Sequence, residues 1–402
     1  MKKKEFRPVF LGADIGIYSS ARSFYEEYGV KSFAFCKHKL WTIANSKIID
    51  YEIIEGFKEE DVIDRLIIYA KDNIGIKLLL MSTSEKYVNM FVSHKKELEK
   101  FYIIPYVDKE TIESIDYKEK FYNICDELNI GHPNTIIVNR DNYKDVLIDF
   151  DYPIICKASS TTKYSKIDFP LKKKIFVINN KEELDEILEQ AYNTNYDDTF
   201  CIQEFIPGDD SSMRVLTCYC NKKHEVVFSS LGQPLLEENA PGAIGNYTAI
   251  INRIDENILN DAKKFLSHVK YVGFANFDIK YNSKTGEHNF FEINVRLGRS
   301  NYYITGSGYN YAKYVVEEYI YNKKLKEEVI VNNKALYSII PFYIIKKYVK
   351  DKNLIREAYS LKRKGKMFNP TLAKYDINIK RLYYVLIAKF NQIIKYRKYY
   401  DK

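Results

Sequence analysis

The segment GFANFDIKYNSKTGEHNFFEINVRLGRS, residues 273–300, decides how this chain is read. Two apolar runs flank the polar stretch Asn282 to Gly286, the pattern of two strands around a turn. A hairpin centred on residue 285 sets Asp278 opposite Glu292 and Asn276 opposite Asn294. Two-residue alternation adds Lys280 and Arg296 to that face and sends Phe277, Ile279, Phe291 and Ile293 to the other. Like charges directly across a ladder repel, so the arrangement calls for a cation, either a neighbouring lysine or a bound metal. Two carboxylates and an amide oxygen suit magnesium, a hard ion that completes its shell with water and phosphate oxygens. The pattern alone favours a solvated hairpin face screened by Lys280.

Three features outside the hairpin bear on that choice. Lys157 interrupts the apolar strand YPIICKAS, where a lysine is rarely buried without an anion. Lys118 borders the helical stripe Phe121, Ile124, Cys125 and Leu128. FCIQEFIPGDD, residues 200–210, is an apolar strand running into a Pro-Gly turn and two acids, a shape that offers backbone groups to a base edge and a carboxylate to ribose. Long lysine stems also reach water from such positions, and a strand ending in a turn is common. No G-x-x-x-x-G-K-S/T is present, and Gly12-x-x-x-Gly16 lacks dinucleotide spacing.

Residues 1–108 alternate strands with helical patterns, as a parallel sheet covered by helices does. RPVFLGAD reads as a strand, SSARSFYEEYG as a Ser-capped helix ending at Gly29, KSFAFC and KLLLMS as further strands, and DVIDRLIIYAKDNIG as a helix capped by Asp61. From about Tyr117 the pattern becomes α+β, with an Asn180/Glu183 capping box and a helix over 255–268 among successive short strands. The fold class is therefore α/β and α+β: a Rossmann-like domain at 1–108, two α+β subdomains at 109–206 and 207–330, and a basic extension at 331–402.

With 46% hydrophobic and 29% charged residues and ten prolines among 402, the composition excludes a disordered chain. From Lys346 onward there are 17 Lys and Arg against 4 Asp and Glu, leaving −5 of the chain's +8 for residues 1–345. Such a tail can meet nucleic acid, anionic lipid or a phosphorylated substrate, although LIAKFNQIIKYRKYY also fits a packed amphipathic helix. The six cysteines sit in apolar runs without C-x-x-C spacing, which points to a reducing compartment. Asp14 breaks the N-terminal apolar stretch, arguing against a signal peptide, and no run approaches a membrane span. A cytoplasmic protein is expected.

Read in order, Lys118, Lys157, QEFIPGDD and the D-x-K…E-I-N hairpin resemble the ATP-grasp superfamily. GADIGIYSSARSFYEEYG, HKKEL, IQEFIPGDDSSMRVL, LGQPLLE…IGNY and GFANFDIKY…FEINVRLGRS narrow the resemblance to the peptidoglycan D-aspartate ligases, over about residues 8 to 320. The resemblance implies that Lys118 and Lys157 touch ATP phosphates, that Glu204, Phe205 and Ile206 frame adenine with Gln203 and Lys280 nearby, and that Asp210 holds ribose. It further implies that Asp278, Glu292 and Asn294 bind Mg²⁺, that the Gly298 amide supports an oxyanion, and that Arg296 and Arg299 grip carboxylates. The stretch from Ser159 to Lys173, with Lys163 and Lys166, would be a lid. Two departures stand out: the lid has no glycine, and Asn276 occupies a position where many D-alanine ligases carry arginine, so that Arg214 or Arg296 would supply the charge.

The implied chemistry is acyl-phosphate formation at an amino acid carboxylate, the β-carboxylate of D-aspartate, followed by attack of an amine, the lysine side chain of a peptidoglycan precursor pentapeptide. The expected partners are thus small substrates, with no nucleic acid and at most peripheral membrane contact through the tail. Competing readings are an ATP-grasp ligase for another amino acid or peptide and, in a different class, a non-catalytic nucleic-acid or membrane-binding protein.

Overall fold

The computed structural model describes residues 5–240 and 243–400. The chain starts with β1 (Phe6–Leu11), α1 (Ile15–Tyr28), β2 (Ser32–Cys36), β3 (Ile49–Ile53), α2 (Glu59–Asp72), β4 (Lys77–Met81), α3 (Glu85–Ser93), α4 (Lys95–Leu98) and β5 (Tyr102–Ile103). The five strands pair in parallel in the order β3-β2-β1-β4-β5. Helix α1 begins earlier than its serines suggest. Asp14 is its N-cap and accepts from the Ile17 amide, and Gly29 ends it at φ 61°, a left-handed conformation glycine adopts without strain. Helix α2 likewise starts before Asp61, which lies in an acidic first turn with Glu59 and Glu60 that complements the helix dipole. Strand β3 carries Asp50 and Glu52 and so has no apolar run to mark it.

Next come α5 (Lys109–Ile115), α6 (Lys118–Glu127), β6 (Thr135–Val138), β7 (Ile154–Ala158), α7 (Thr161–Tyr164), β8 (Phe176–Ile178), α8 (Lys181–Tyr192) and β9 (Phe200–Glu204). Their strands form an antiparallel sheet ordered β6-β9-β7-β8 over a core that includes Cys156, Phe176, Leu184, Leu188 and Phe200. Asn180 caps α8 by accepting from the Glu183 amide, while the Glu183 carboxylate returns to the Asn179 amide, one residue before the expected donor.

The large sheet is built from β10 (Met213–Cys220), β11 (Val226–Glu237), β12 (Tyr247–Arg253), β13 (Gly273–Tyr281), β14 (His288–Asn294), β15 (Val329–Ile330), β16 (Leu336–Ser338) and β17 (Met367–Phe368). Its order is β14-β13-β10-β11-β12-β16-β17, with β15 beside β11. Its helices are α9 (Glu256–His268), α10 (Tyr302–Thr305), α11 (Ala312–Tyr319), α12 (Phe342–Tyr348), α13 (Lys352–Arg363) and α14 (Ile379–Tyr399). The basic C-terminal stretch is woven into this layer. Strand β16 pairs with β12 and β17 with β16, and Ile344, Ile345, Ala358 and Tyr396 are buried in the shared core. All six cysteines are buried, and none forms a disulfide among the described residues.

Contacts divide the chain into two units. One holds the described parts of 1–112, 213–277 and 294–402; the other holds 113–212 and 278–293. Strands β13 and β14 therefore run from one unit into the other, and their turn closes between Asn282 and Glu287. Phe277, Ile279 and Ile293 are buried as expected, but Phe290 is buried in place of Phe291. The reason is that other chain covers β14 there: the Phe290 amide donates to Gly131 O at 2.8 Å, and the Phe291 carbonyl accepts from Tyr122. Gly131 has no substitute at this approach, since a Cβ would lie 2.6 Å from His288 O.

Candidate active site

In the second unit, alternation along β7 sends Ile154 and Cys156 into the core and turns Lys157 to the opposite face. Lys118 opens helix α6 and donates to Glu292 Oε2 at 2.9 Å. The Lys157 ammonium lies 5.8 Å from the centroid of Phe291. Burial, reinforced by the neighbouring Lys118 charge, pushes Lys157 down to about 8. Burial also works against the Lys118 charge, yet the Glu292 carboxylate outweighs it and holds that ammonium protonated above the usual lysine range. Among the described residues Lys157 has no carboxylate within ion-pair distance, so two adjoining ammoniums stand where one is matched. Such a locus attracts an anion with several oxygens.

Gln203 is buried in the middle of this unit and acts as a strut. Its amide hydrogens go to Tyr122 Oη and Thr135 Oγ1, both at 2.8 Å, and Tyr122 in turn holds the Phe291 carbonyl at 2.9 Å. Glu204 ends β9 and accepts from Asn134 at 2.9 Å. Phe205 follows with the Lys280 ammonium 5.6 Å from its ring, and Ile206 is buried. Gly208 sits at φ 126° with Ser212 packed where a Cβ would be, which makes the Pro-Gly turn specific to glycine. Asp209 closes the next turn by accepting from the Ser211 amide and hydroxyl, and Asp210 stands at the head of a short 3-10 turn.

Lys163 pairs with Asp197 and Asp198 at 3.5 and 3.8 Å, the end of the α8–β9 connection. The stretch from Ser159 to Lys173 is pinned by buried Tyr164 and Phe169, and Tyr164 donates to the Lys173 carbonyl at 2.8 Å.

The first unit assembles the remaining residues. Asn276 is buried, accepts from Thr217 Oγ1 at 2.9 Å, and abuts Gly298, where a Cβ would stand 3.1 Å from its Oδ1. Asn294 Oδ1 accepts from Arg296 Nη2 at 3.0 Å. Arg296 gives Nη1 to the Leu297 carbonyl, while its buried Nε has no hydrogen-bond acceptor among the described residues. A buried guanidinium N–H without an acceptor has the capacity to donate to a water or an anion. Arg299 makes looser contacts, 3.8 Å to Asp14 and 3.5 Å to Glu238. Arg214 Nη1 donates to the Met213 carbonyl at 2.7 Å.

Sequence reading missed Glu238. This buried carboxylate touches Arg299 and also accepts from Gln392 and Lys395 of α14 at 3.1 and 3.2 Å. Its only sequence signal is its place as the second of two acids after the apolar run Leu235–Leu236, and its partners are 61 to 157 positions away.

The expected metal trio is divided, with Asp278 and Glu292 in the second unit and Asn294 in the first. The donors are all hard oxygens, which fit Mg²⁺. Among the described residues no three His, Cys, Asp or Glu side chains cluster.

No protein-family model matches the chain. It is 34% identical over 412 residues to a D-aspartate ligase of Enterococcus faecium (strain Aus0004), covering 100% of this chain and 98% of that one. Among solved structures it is similar to an L-amino acid ligase from Bacillus licheniformis, with TM-score 0.56, 15% identity and coverage of 79% and 74%. It is also similar to the biotin carboxylase domain of a Hydrogenobacter thermophilus 2-oxoglutarate carboxylase, solved with MgADP, with TM-score 0.61, 14% identity and coverage of 83% and 74%. At these identities the structural likeness is one of fold, and that fold is ATP-grasp.

Proposed function

Because the chain belongs to the D-aspartate ligase family and is an ATP-dependent carboxylate-amine ligase, we propose that it joins the β-carboxylate of D-aspartate to the lysine side chain of a peptidoglycan precursor pentapeptide in the cytoplasm. The observation that carries the nucleotide half of this reading is the pair Lys118 and Lys157, adjoining and short of negative charge beside Glu292. They receive phosphate oxygens of ATP. Glu204, Phe205 and Ile206 frame the adenine, Asp210 takes the ribose hydroxyls, and Lys280 lies beside Phe205 at the same end.

Asp278, Glu292 and Asn294 would hold Mg²⁺, which when bound neutralises charge on the transferring phosphoryl group. Arg296, with its unmatched buried Nε, and Arg299 hold the amino acid's carboxylates. In the first step a carboxylate oxygen attacks the γ-phosphorus, the bond to the bridging oxygen breaks, and ADP leaves. The amine nitrogen then attacks the acyl carbon, inorganic phosphate departs with the former carboxylate oxygen, and the nitrogen loses a proton. The Gly298 amide faces the oxyanion of that second step, with Arg296 or Arg214 offering charge in place of an arginine at position 276. The residues from Ser159 to Lys173, Lys163 among them, shield the acyl phosphate from water.

The test is ADP release by purified protein with MgATP and an amine acceptor, screened over D- and L-aspartate, D-asparagine and D-alanine, with product mass read by spectrometry. Turnover restricted to D-aspartate and abolished in Asp278→Asn supports the assignment. Turnover with another donor, or without the pentapeptide lysine, refutes it.

A further inference from the structure

Helix α14 is two-faced in an unusual sense, because both faces are apolar. Its inward face is fixed to the body. Arg381 and Asp376, 1% and 0% exposed, form an ion pair at 3.2 Å, and the guanidinium lies over the Tyr18 ring at 4.0 Å while donating to the Thr42 carbonyl at 2.8 Å. Val385 and Tyr396 are buried along the same side, and Tyr396 donates to the Glu237 carbonyl at 2.8 Å. Asn378 caps the first turn and reaches the Asn45 carbonyl. The helix is thus held at both ends by the core.

The outward face carries Ile379, Tyr383, Leu386, Phe390 and Ile394, exposed by 89, 62, 55, 62 and 47%. Steps of four, three, four and four residues place them on one stripe along about 22 Å of helix. None of them is needed by the core, which takes Arg381, Val385 and Tyr396 from the other side. On a helical wheel Lys380 and Lys398 border this stripe on one side and Lys389 on the other, with Arg397 at its end. From residue 377 to residue 400 there is no Asp or Glu.

This combination selects the occupant. A helix face made for another helix carries both signs of charge along its flanks, which set register and partner. Here every flanking charge is positive, so a second copy of α14 would bring cations against cations. Lysine stems beside an apolar stripe keep their charge at the level of headgroups while the stripe enters the acyl boundary, and tyrosine and phenylalanine are the side chains that settle there. No helix of the described chain is long and apolar enough to cross a membrane, so the contact is one of lying on the surface. We infer that the outward face of α14 docks the protein on an anionic phospholipid bilayer.

The experiment is flotation of the full-length protein with vesicles of phosphatidylglycerol and phosphatidylcholine, or of phosphatidylcholine alone, beside a Leu386→Glu/Phe390→Glu variant. Wild type should float with the anionic vesicles, and the variant should bind at least about tenfold more weakly, with unchanged melting temperature and unchanged vesicle-free turnover. A second pair, Ile379→Glu/Tyr383→Glu, gives the same reading if the first fails to fold. The inference is overturned if wild type does not float, or if both variants float as well as wild type. It is also overturned if light scattering shows wild type to be a dimer that the variants dissociate while neither binds vesicles, since a second copy then covers the face. Ligase turnover is read separately, so failure here leaves the catalytic assignment intact.

Discussion

Replacing Lys157 with methionine should stabilise the protein while disabling it. The drop of this lysine from 10.5 to about 8 corresponds to about 3 kcal/mol against the charged form, reduced to about 2 kcal/mol because the residue as a whole keeps some exposure to solvent. Below pH 8 the folded protein carries this penalty in full. Between about 8 and 10.5 the unfolded chain binds more protons than the folded one, so native stability rises with pH, and above 10.5 the difference vanishes. Methionine keeps the stem and removes the charge, so the gain of about 2 kcal/mol should appear at pH 7 and fade by pH 10.5. The same change deletes one charge-assisted contact to phosphate, worth about 1.5–3 kcal/mol, and should lower kcat/KM for ATP by roughly 10- to 100-fold. Calorimetric melts with and without MgATP, together with coupled ADP release, read both effects, and MgATP should stabilise wild type more than the variant. A variant that melts lower and keeps its ATP kinetics would refute the reasoning, since Lys157 would then be a structural cation.

Three further outcomes follow from the same geometry. In wild type, log kcat/KM for ATP should fall as pH rises through about 8, because the free enzyme loses the Lys157 charge there; Lys157→Arg should remove that limb, as a pH profile of both proteins will show. Glu292→Gln leaves Lys118 without the carboxylate 2.9 Å away and takes an oxygen donor from the proposed ion, so the Mg²⁺ concentration for half-maximal turnover should rise by about tenfold or more, read by titration at saturating ATP. Glu238→Gln should loosen Arg299 and raise KM for the amino acid by about tenfold, the effect of losing about 1.4 kcal/mol, with KM for ATP unchanged; equal changes in both constants would point to general disruption.

Much of the candidate site was legible because its pieces are local. Period-two alternation within β13 and β7 separates Asp278 and Lys157 from the core residues beside them, and the turn around Gly286 announces the hairpin. Helix starts were less legible. Asp14 caps α1, yet in sequence it looks only like a charge interrupting an apolar run. Strand β3 and the burial of Phe290 in place of Phe291 escaped because neighbours distant in sequence decide which side of those strands is covered.

Sequence by itself determined the alternating sheet-and-helix head, the acidic hairpin, the order of lysines and carboxylates, and the concentration of positive charge after Lys346. Tertiary structure alone decided that Lys118 meets Glu292 across 174 positions, that Glu238 joins Arg299 to α14, and that the basic C-terminal stretch completes the large sheet and leaves an apolar stripe outward. The physical reason is range. Alternation and capping act over one to four residues and leave a mark in the order of residue types, whereas an ion pair or a buried face depends on which distant segments the core brings together.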